Sequence, residues 1–261
     1  MNSSIHTQST ARTLEQVLEA PDYFSKVSSV VARLHATTTQ AAALESLFDA
    51  TRLMGVDASV FASFVRDDET HESYRFMLAC DPRWCIEYEK IASFADDPWL
   101  VYACNHSEPI RGHEIQAYTR RQQAATKIAE DFGFRSALII PSPSSGGISR
   151  LGVLCVGSNQ AGFFDGAAYL PFKLLARSLA MELHEWWVRV VRTELISQAD
   201  ITGEDLELLR LERQGHSTKD IARTLCVSLR AVDSRFYRIN AKLGMPSRKA
   251  AARVAAEYGL I

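Results

Sequence analysis

The stretch from residue 201 to residue 261 limits the fold of this 261-residue chain most tightly, because its helix start and stop signals are close together and agree with one another. It reads ITGEDLELLRLERQGHSTKDIARTLCVSLRAVDSRFYRINAKLGMPSRKAAARVAAEYGLI. Thr202 stands as the N-cap of a helix over Glu204–Gln214, Asp205 three residues on completes a short capping box, and Gly215 supplies the C′ residue that stops it. Ser217 caps a second helix, Lys219–Leu225, with Ile221, Ala222 and Leu225 on its buried face. The turn Cys226–Val227–Ser228 leads to a third, Leu229–Leu243, capped by Ser228, and Ala250–Leu260 gives an apolar fourth. Helices this short depend on packing against one another, so an all-α unit is expected.

On the third helix Val232, Phe236 and Ile239 recur at four- and three-residue steps and point inward. Arg230, Asp233, Ser234, Arg235 and Arg238 then fall on the outer faces. Such a helix can offer polar side chains to base edges in a major groove, while flanking cations and amides hold phosphates. The charge distribution agrees: residues 201–261 hold 11 Lys and Arg against 7 Asp and Glu, a net of +4, which leaves −6 for the first 200 residues of a chain of net charge −2. A polyanion is the partner that such an excess favours.

The same segment resembles the LuxR-type helix-turn-helix, through Ile201–Thr202, Gly215, Ser217, Ile221–Ala222, Leu225, Val227–Ser228, Val232, Lys242–Leu243–Gly244, Arg248 and Gly259–Leu260–Ile261. The resemblance implies a DNA-binding transcription regulator. It places Ser228, Arg230, Arg235 and Arg238 of the recognition helix at the DNA, with Lys242 on phosphate, and Ser234 on the same outer face is a further candidate contact. Three positions depart from the family pattern: Asp205 for an early glutamate, Ala231 for a threonine and Arg235 for a histidine. The apolar frame is intact, so these changes are expected to alter sequence preference rather than abolish binding.

Upstream, apolar residues recur at helical spacing between Asp22 and Met54 (Val27, Val30, Val31 and Leu34, then Leu44, Leu47, Phe48 and Leu53). Ala58–Phe64 and Tyr74–Ala79 read as a hairpin across an acidic turn at Arg66–Thr70. A short helix after Pro82 puts Trp84 and Tyr88 on one face. A helix over Gln122–Phe132 stops at Gly133, and two apolar strands, Ser136–Pro141 and Gly152–Gly157, flank the loop SPSSGGISR. Gly166–Val191 is a long helix with Leu170, Leu174, Leu175, Leu179, Leu183 and Trp186–Trp187 on its apolar face. The expected architecture is an α/β ligand-binding sandwich over residues 1–190, an antiparallel sheet flanked by helices, then a polar linker at 191–200 and the helix-turn-helix domain at 201–261.

Trp84, Tyr88 and Asp97–Pro98 stand at the spacing W-x3-Y-x8-DP and resemble the acyl-homoserine-lactone receptors among LuxR-type regulators, as do Gly133 and Pro141. By that resemblance Trp84 donates to a lactone carbonyl, Asp97 accepts from the ligand amide and Tyr88 packs on the ligand; Pro98 and Cys155 are further candidate ligand-binding residues. An apolar pocket with a few convergent polar groups suits a fatty amide. Around the lactone ring the chain departs from the family: Pro109–Ile110–Arg111–Gly112 lacks the tryptophan that usually follows a Pro-Ile pair, Ala137 replaces a glycine, and Cys80 replaces a tyrosine. The expected ligand is an acyl-homoserine lactone. The alternative is a different small amphiphile, or action without ligand through a protein partner.

No GxSxG elbow, P-loop or HExxH is present; His184–Glu185 is followed by Trp186, Trp187 and Val188 rather than a second metal-binding histidine. An enzyme is not expected, nor a metal or cofactor. The regular βα alternation of a phosphoacceptor domain is also missing. Five cysteines (Cys80, Cys85, Cys104, Cys155, Cys226) without CxxC spacing suit reduced thiols. No apolar run is long enough to cross a membrane, and the N-terminus lacks a signal-peptide core, so a cytoplasmic location without membrane association is expected. A homodimer on two-fold DNA sites is expected, with Ala250–Leu260 as a contact surface and RNA polymerase as a further partner.

Overall fold

In a computed structural model of the chain, residues 12–66, 72–91, 96–143, 150–198 and 200–261 are described. The extreme N-terminal segment, most of the acidic turn after Arg66 and most of the SPSSGGISR loop lie outside them. The chain divides into two compact units: Met1–Ala62 with Phe76–Ser142 and Gly152–Leu183, and Ser63–Arg75 with Pro143–Leu151 and His184–Ile261.

The first unit opens with three helices, α1 (Leu14–Leu18), α2 (Tyr23–Ala36) and α3 (Gln40–Leu53). Thr13 and Thr39 cap α1 and α3, each hydroxyl accepting from an amide that the helix itself leaves without a partner. Helix α2 buries the expected Val27, Val30, Val31 and Leu34. On α3 the buried face is Ala43, Leu47 and Ala50, while Phe48 is exposed. Small side chains carry that face because α3 packs on α2, and a reading weighted to large apolar residues misplaces it by about a quarter turn.

Five strands, β1 (Ala58–Arg66), β2 (Glu72–Ala79), β3 (Ile110–Arg111), β4 (Ser136–Pro143) and β5 (Arg150–Ser158), form an antiparallel sheet in the order β2-β1-β5-β4-β3. The short edge strand β3 has no counterpart in the sequence reading; Ile110 pairs with Ile139 and Arg111 with Leu138. Strand β4 is buried from Ser136 to Ser142, which is why it reads as a continuous apolar run rather than an alternating one. Helices α4 (Arg83–Ile91), α5 (Pro98–Asn105) and α6 (Arg120–Ala129) fall between β2 and β4 in the chain. After α6 a π-turn over Glu130–Phe134 brings Gly133 to φ +100°, and a Cβ there would lie 2.8 Å from the Cβ of Ala58. Only glycine meets both demands without strain.

Helix α7 (Tyr169–Gln198) buries Phe172, Ala176, Leu179, Leu183, Trp186 and Val191. Leu170 and Leu174, expected on that face, are exposed, because Phe172 and Ala176 set the register at the start of the helix. The stretch 191–198, expected to be a polar linker, is helical; it has no proline or glycine to stop the helix.

The second unit contains the expected four helices, α8 (Gly203–Arg213), α9 (Thr218–Thr224), α10 (Leu229–Leu243) and α11 (Arg248–Glu257). The capping box forms: Thr202 Oγ1 accepts from Asp205 N at 3.2 Å, and Thr202 N donates to Asp205 Oδ2 at 3.1 Å. Ser217 and Ser228 cap α9 and α10 through Asp220 N and Ala231 N, both at 3.2 Å. Leu208, Leu209, Ile221, Val232, Phe236, Ile239, Ala251 and Ala255 make the core, each contributing about 1–3 kcal/mol of apolar burial according to size. Among the described residues no helix is long and apolar enough to cross a membrane.

Candidate functional site

In the first unit, Trp84 and Tyr88 stand one turn apart on α4 and stack with ring centroids 4.8 Å apart. Tyr88 donates its hydroxyl to Asp97 Oδ2. The other carboxylate oxygen, Oδ1, accepts from Trp99 N at 2.8 Å and Leu100 N at 3.0 Å, so Asp97 caps α5, with Pro98 at its first helical position. One side chain therefore orders the backbone of α5 and ties it to the Tyr88 hydroxyl of α4. Burial pushes the Asp97 carboxyl above the ordinary carboxylate range; the bonds from Tyr88, Leu100 and Trp99 oppose this, and the charge of Asp96 adds to it. Cys155 on β5 is buried, and burial raises its thiol, with a further contribution from the charge of Asp97.

Trp99 is a site residue that the sequence reading does not include. It is as buried as Trp84, and the two indoles flank Phe134, with centroids 6.5 Å (Trp84) and 6.1 Å (Trp99) from the phenyl ring. Both indole nitrogens are buried without a hydrogen-bond partner. A Cβ at Gly112 would come within 3.0 Å of the Ala137 Cβ and 3.3 Å of Trp99 Cζ2. The Trp99 ring thus occupies the space beside Gly112 and Ala137, two of the positions that depart from the family pattern. The signal available in the sequence is its place directly after Asp97–Pro98.

An unpaired buried donor costs about 1–3 kcal/mol, and here there are two, the indole of Trp84, which stacks on Tyr88, and that of Trp99, whose backbone amide donates to Asp97, while the carboxylate itself retains lone pairs. The arrangement fits a guest with two acceptors and one donor. Trp84, Tyr88, Asp97 and Pro98 come together as the sequence suggests, with Cys155 close enough to Asp97 to feel its charge.

In the second unit, α10 turns Val232, Phe236 and Ile239 inward and exposes Leu229, Arg230, Asp233, Ser234, Tyr237 and Arg238. Among the described residues Arg230, Asp233, Ser234, Tyr237 and Arg238 make no side-chain hydrogen bond or ion pair, which leaves them available to a partner. The remaining three residues expected at the DNA are engaged within the domain. Ser228 caps α10. Arg235 is half-buried and pairs with Glu204 at 3.2 Å. Lys242 donates to the Asp200 carbonyl and, at 3.1 Å, to Asp205 Oδ2. Burial opposes ionisation of Asp205, but the Thr202 amide and Lys242 outweigh it and hold the carboxyl below its ordinary value. Arg235 and Lys242 therefore brace α10 against the start of α8.

The family model "Autoinducer binding domain" matches residues 39–185, and "Bacterial regulatory proteins, luxR family" matches residues 201–255. No curated protein matches the chain. Among solved structures it is similar to Escherichia coli SdiA, at 18% identity and TM-score 0.71, over 92% of this chain and 99% of that one. SdiA in complex with octanoyl-rac-glycerol gives 18% identity and TM-score 0.65, over 92% and 96%. CepR2 of Burkholderia cenocepacia, described as an N-acylhomoserine lactone dependent LuxR family transcription factor, gives 15% and 0.56, over 65% and 98%. At these identities the structural likeness shows a shared fold; the family matches go further. The chain belongs to the LuxR family of bacterial regulatory proteins, and is a transcription regulator with an autoinducer-binding domain ahead of a DNA-binding helix-turn-helix.

Proposed function

We propose that a small amphiphile with two hydrogen-bond acceptors and one donor, an acyl-homoserine lactone by preference, occupies the space around Trp84, Tyr88, Asp97 and Trp99 and governs DNA binding. The observation that carries this reading is the pair of buried, unpartnered indole N–H groups, on Trp84, which stacks on Tyr88, and on Trp99, whose backbone amide donates to Asp97. Two carbonyls satisfy the indoles and an amide N–H satisfies Asp97, while Pro98 and Cys155 line the cavity. On the DNA side, Arg230, Ser234 and Arg238 meet the duplex and Ser228 presents the start of α10. The protein acts as a cytoplasmic homodimer on a two-fold site, without catalysis, and RNA polymerase is its downstream partner.

A ligand that binds only the folded protein raises its stability by about 2.7 kcal/mol at a hundred times Kd. Melting of the full chain with N-octanoyl homoserine lactone and, separately, with 1-octanoyl-rac-glycerol tests the reading. A concentration-dependent rise, lost in Trp84→Phe and Trp99→Phe, supports it. No rise with either compound overturns it in favour of a second reading, regulation through a protein partner. The closed Tyr88–Asp97 bond favours that alternative, since an oxygen meant for a ligand amide is already engaged by a neighbouring side chain.

A further inference from the structure

The outward face of α10 carries an acid as well as two cations. Its exposed positions, Leu229, Arg230, Asp233, Ser234, Tyr237 and Arg238, repeat at the spacing of a single helical face, and Asp233 sits near the middle. Asp233 lies about 6 Å along the axis from the first residue of α10, within the two turns that reach base edges in a helix-turn-helix. Its carboxylate has no hydrogen bond or ion pair among the described residues; Arg230, a turn before it, does not pair with it. On a surface that meets a polyanion, such a group repels phosphate and loses hydration. It opposes binding unless a donor on the DNA receives it.

The major groove offers two kinds of base donor, the N4 amino group of cytosine and the N6 amino group of adenine. Adenine places its N7 acceptor beside N6, where a carboxylate is repelled, whereas the cytosine edge presents the amino group alone. We propose that Asp233 accepts a hydrogen bond from cytosine N4 and sets the preference for a C·G pair at one position of each half-site. This rests on α10 entering the major groove. The same geometry gives a change of preference on substitution: the amide of Asp233→Asn supplies both a donor and an acceptor and matches the N6/N7 edge of adenine.

The test is selection of duplexes from a randomised library by the full chain, in parallel for the unchanged protein, Asp233→Ala and Asp233→Asn. N-octanoyl homoserine lactone is present in one arm and absent in another. Asp233 is exposed, so the variants should melt with the unchanged protein, and circular dichroism checks this. The unchanged protein should enrich cytosine at one half-site position. Asp233→Ala should lose preference there alone, by about tenfold, and Asp233→Asn should move it to adenine. Identical selected sequences from the unchanged protein and Asp233→Ala overturn the proposal. So does a uniform gain in affinity for all duplexes, which marks Asp233 as a repulsive charge and nothing more. Enrichment of no sequence by the unchanged protein instead overturns the placement of α10 in the major groove, on which the proposal stands.

Discussion

The contrast between Arg238 and Lys242 can be measured directly. Both are cations on α10, and the sequence pattern assigns both to DNA. In the folded domain Arg238 is exposed and free, whereas Lys242 is held by Asp205 at 3.1 Å and by the Asp200 carbonyl, with its side chain 28% exposed. Removing one cation from a phosphate lowers the slope of log affinity against log salt by about 0.9. Between about 50 and 200 mM salt, one such cation therefore accounts for roughly a 3.5-fold change in affinity, and a dimer without two of them should show a slope lower by about 1.8. Arg238→Gln should produce that change. Lys242→Gln should leave the slope unaltered and instead destabilise the C-terminal unit by about 1 kcal/mol, since it breaks a partly buried pair joining α8 and α10. Fluorescence anisotropy on a mixed-sequence duplex across the salt range gives the slope, and thermal denaturation gives the stability. A reduced slope for Lys242→Gln at unchanged melting temperature would falsify the assignment of this residue to bracing.

Three further outcomes follow from the geometry. Asp97→Ala removes the cap of α5 and the acceptor that Tyr88 donates to, so it should destabilise the first unit by about 2 kcal/mol, with Asp97→Asn milder, as read by chemical denaturation. Because the folded-state pKa of Asp97 is raised above its ordinary 3.8, its stabilising contribution is full below that pH and falls as pH rises through the folded value; the stability of Asp97→Asn relative to the unchanged protein should accordingly increase over that rise, and a difference independent of pH counts against the buried carboxyl. Gly133→Ala forces a side chain into φ +100° against Ala58 and should cost about 2 kcal/mol or more, visible as a lower denaturation midpoint, while an unchanged midpoint contradicts the close approach.

The helix-turn-helix is readable from sequence because its signals are local. Thr202 with Asp205, Gly215, Ser217, Ser228 and the Val232–Phe236–Ile239 spacing each act within a turn or so of the chain, and each falls where expected. The pairing of Trp84 with Tyr88 is also local, a single turn of α4. Where burial depends on what lies opposite, the sequence is less informative. Ala43 and Ala50 rather than Phe48 face the core of α3, and Phe172 rather than Leu170 sets the register of α7, because the partner surface selects which apolar residues fit.

The sequence by itself determined the two-part organisation, the recognition helix and the W-x3-Y-x8-DP elements of the sensor, since caps, turns and helical periods act between near neighbours in the chain. Only tertiary structure brought Trp99 beside Gly112, Ala137 and Phe134, and turned Arg235 and Lys242 away from the outer face toward Glu204 and Asp205. Those contacts join separate elements of the fold. Which donors remain unpaired and which cations remain free is settled by what the folded chain leaves unfilled, and no residue's identity records that.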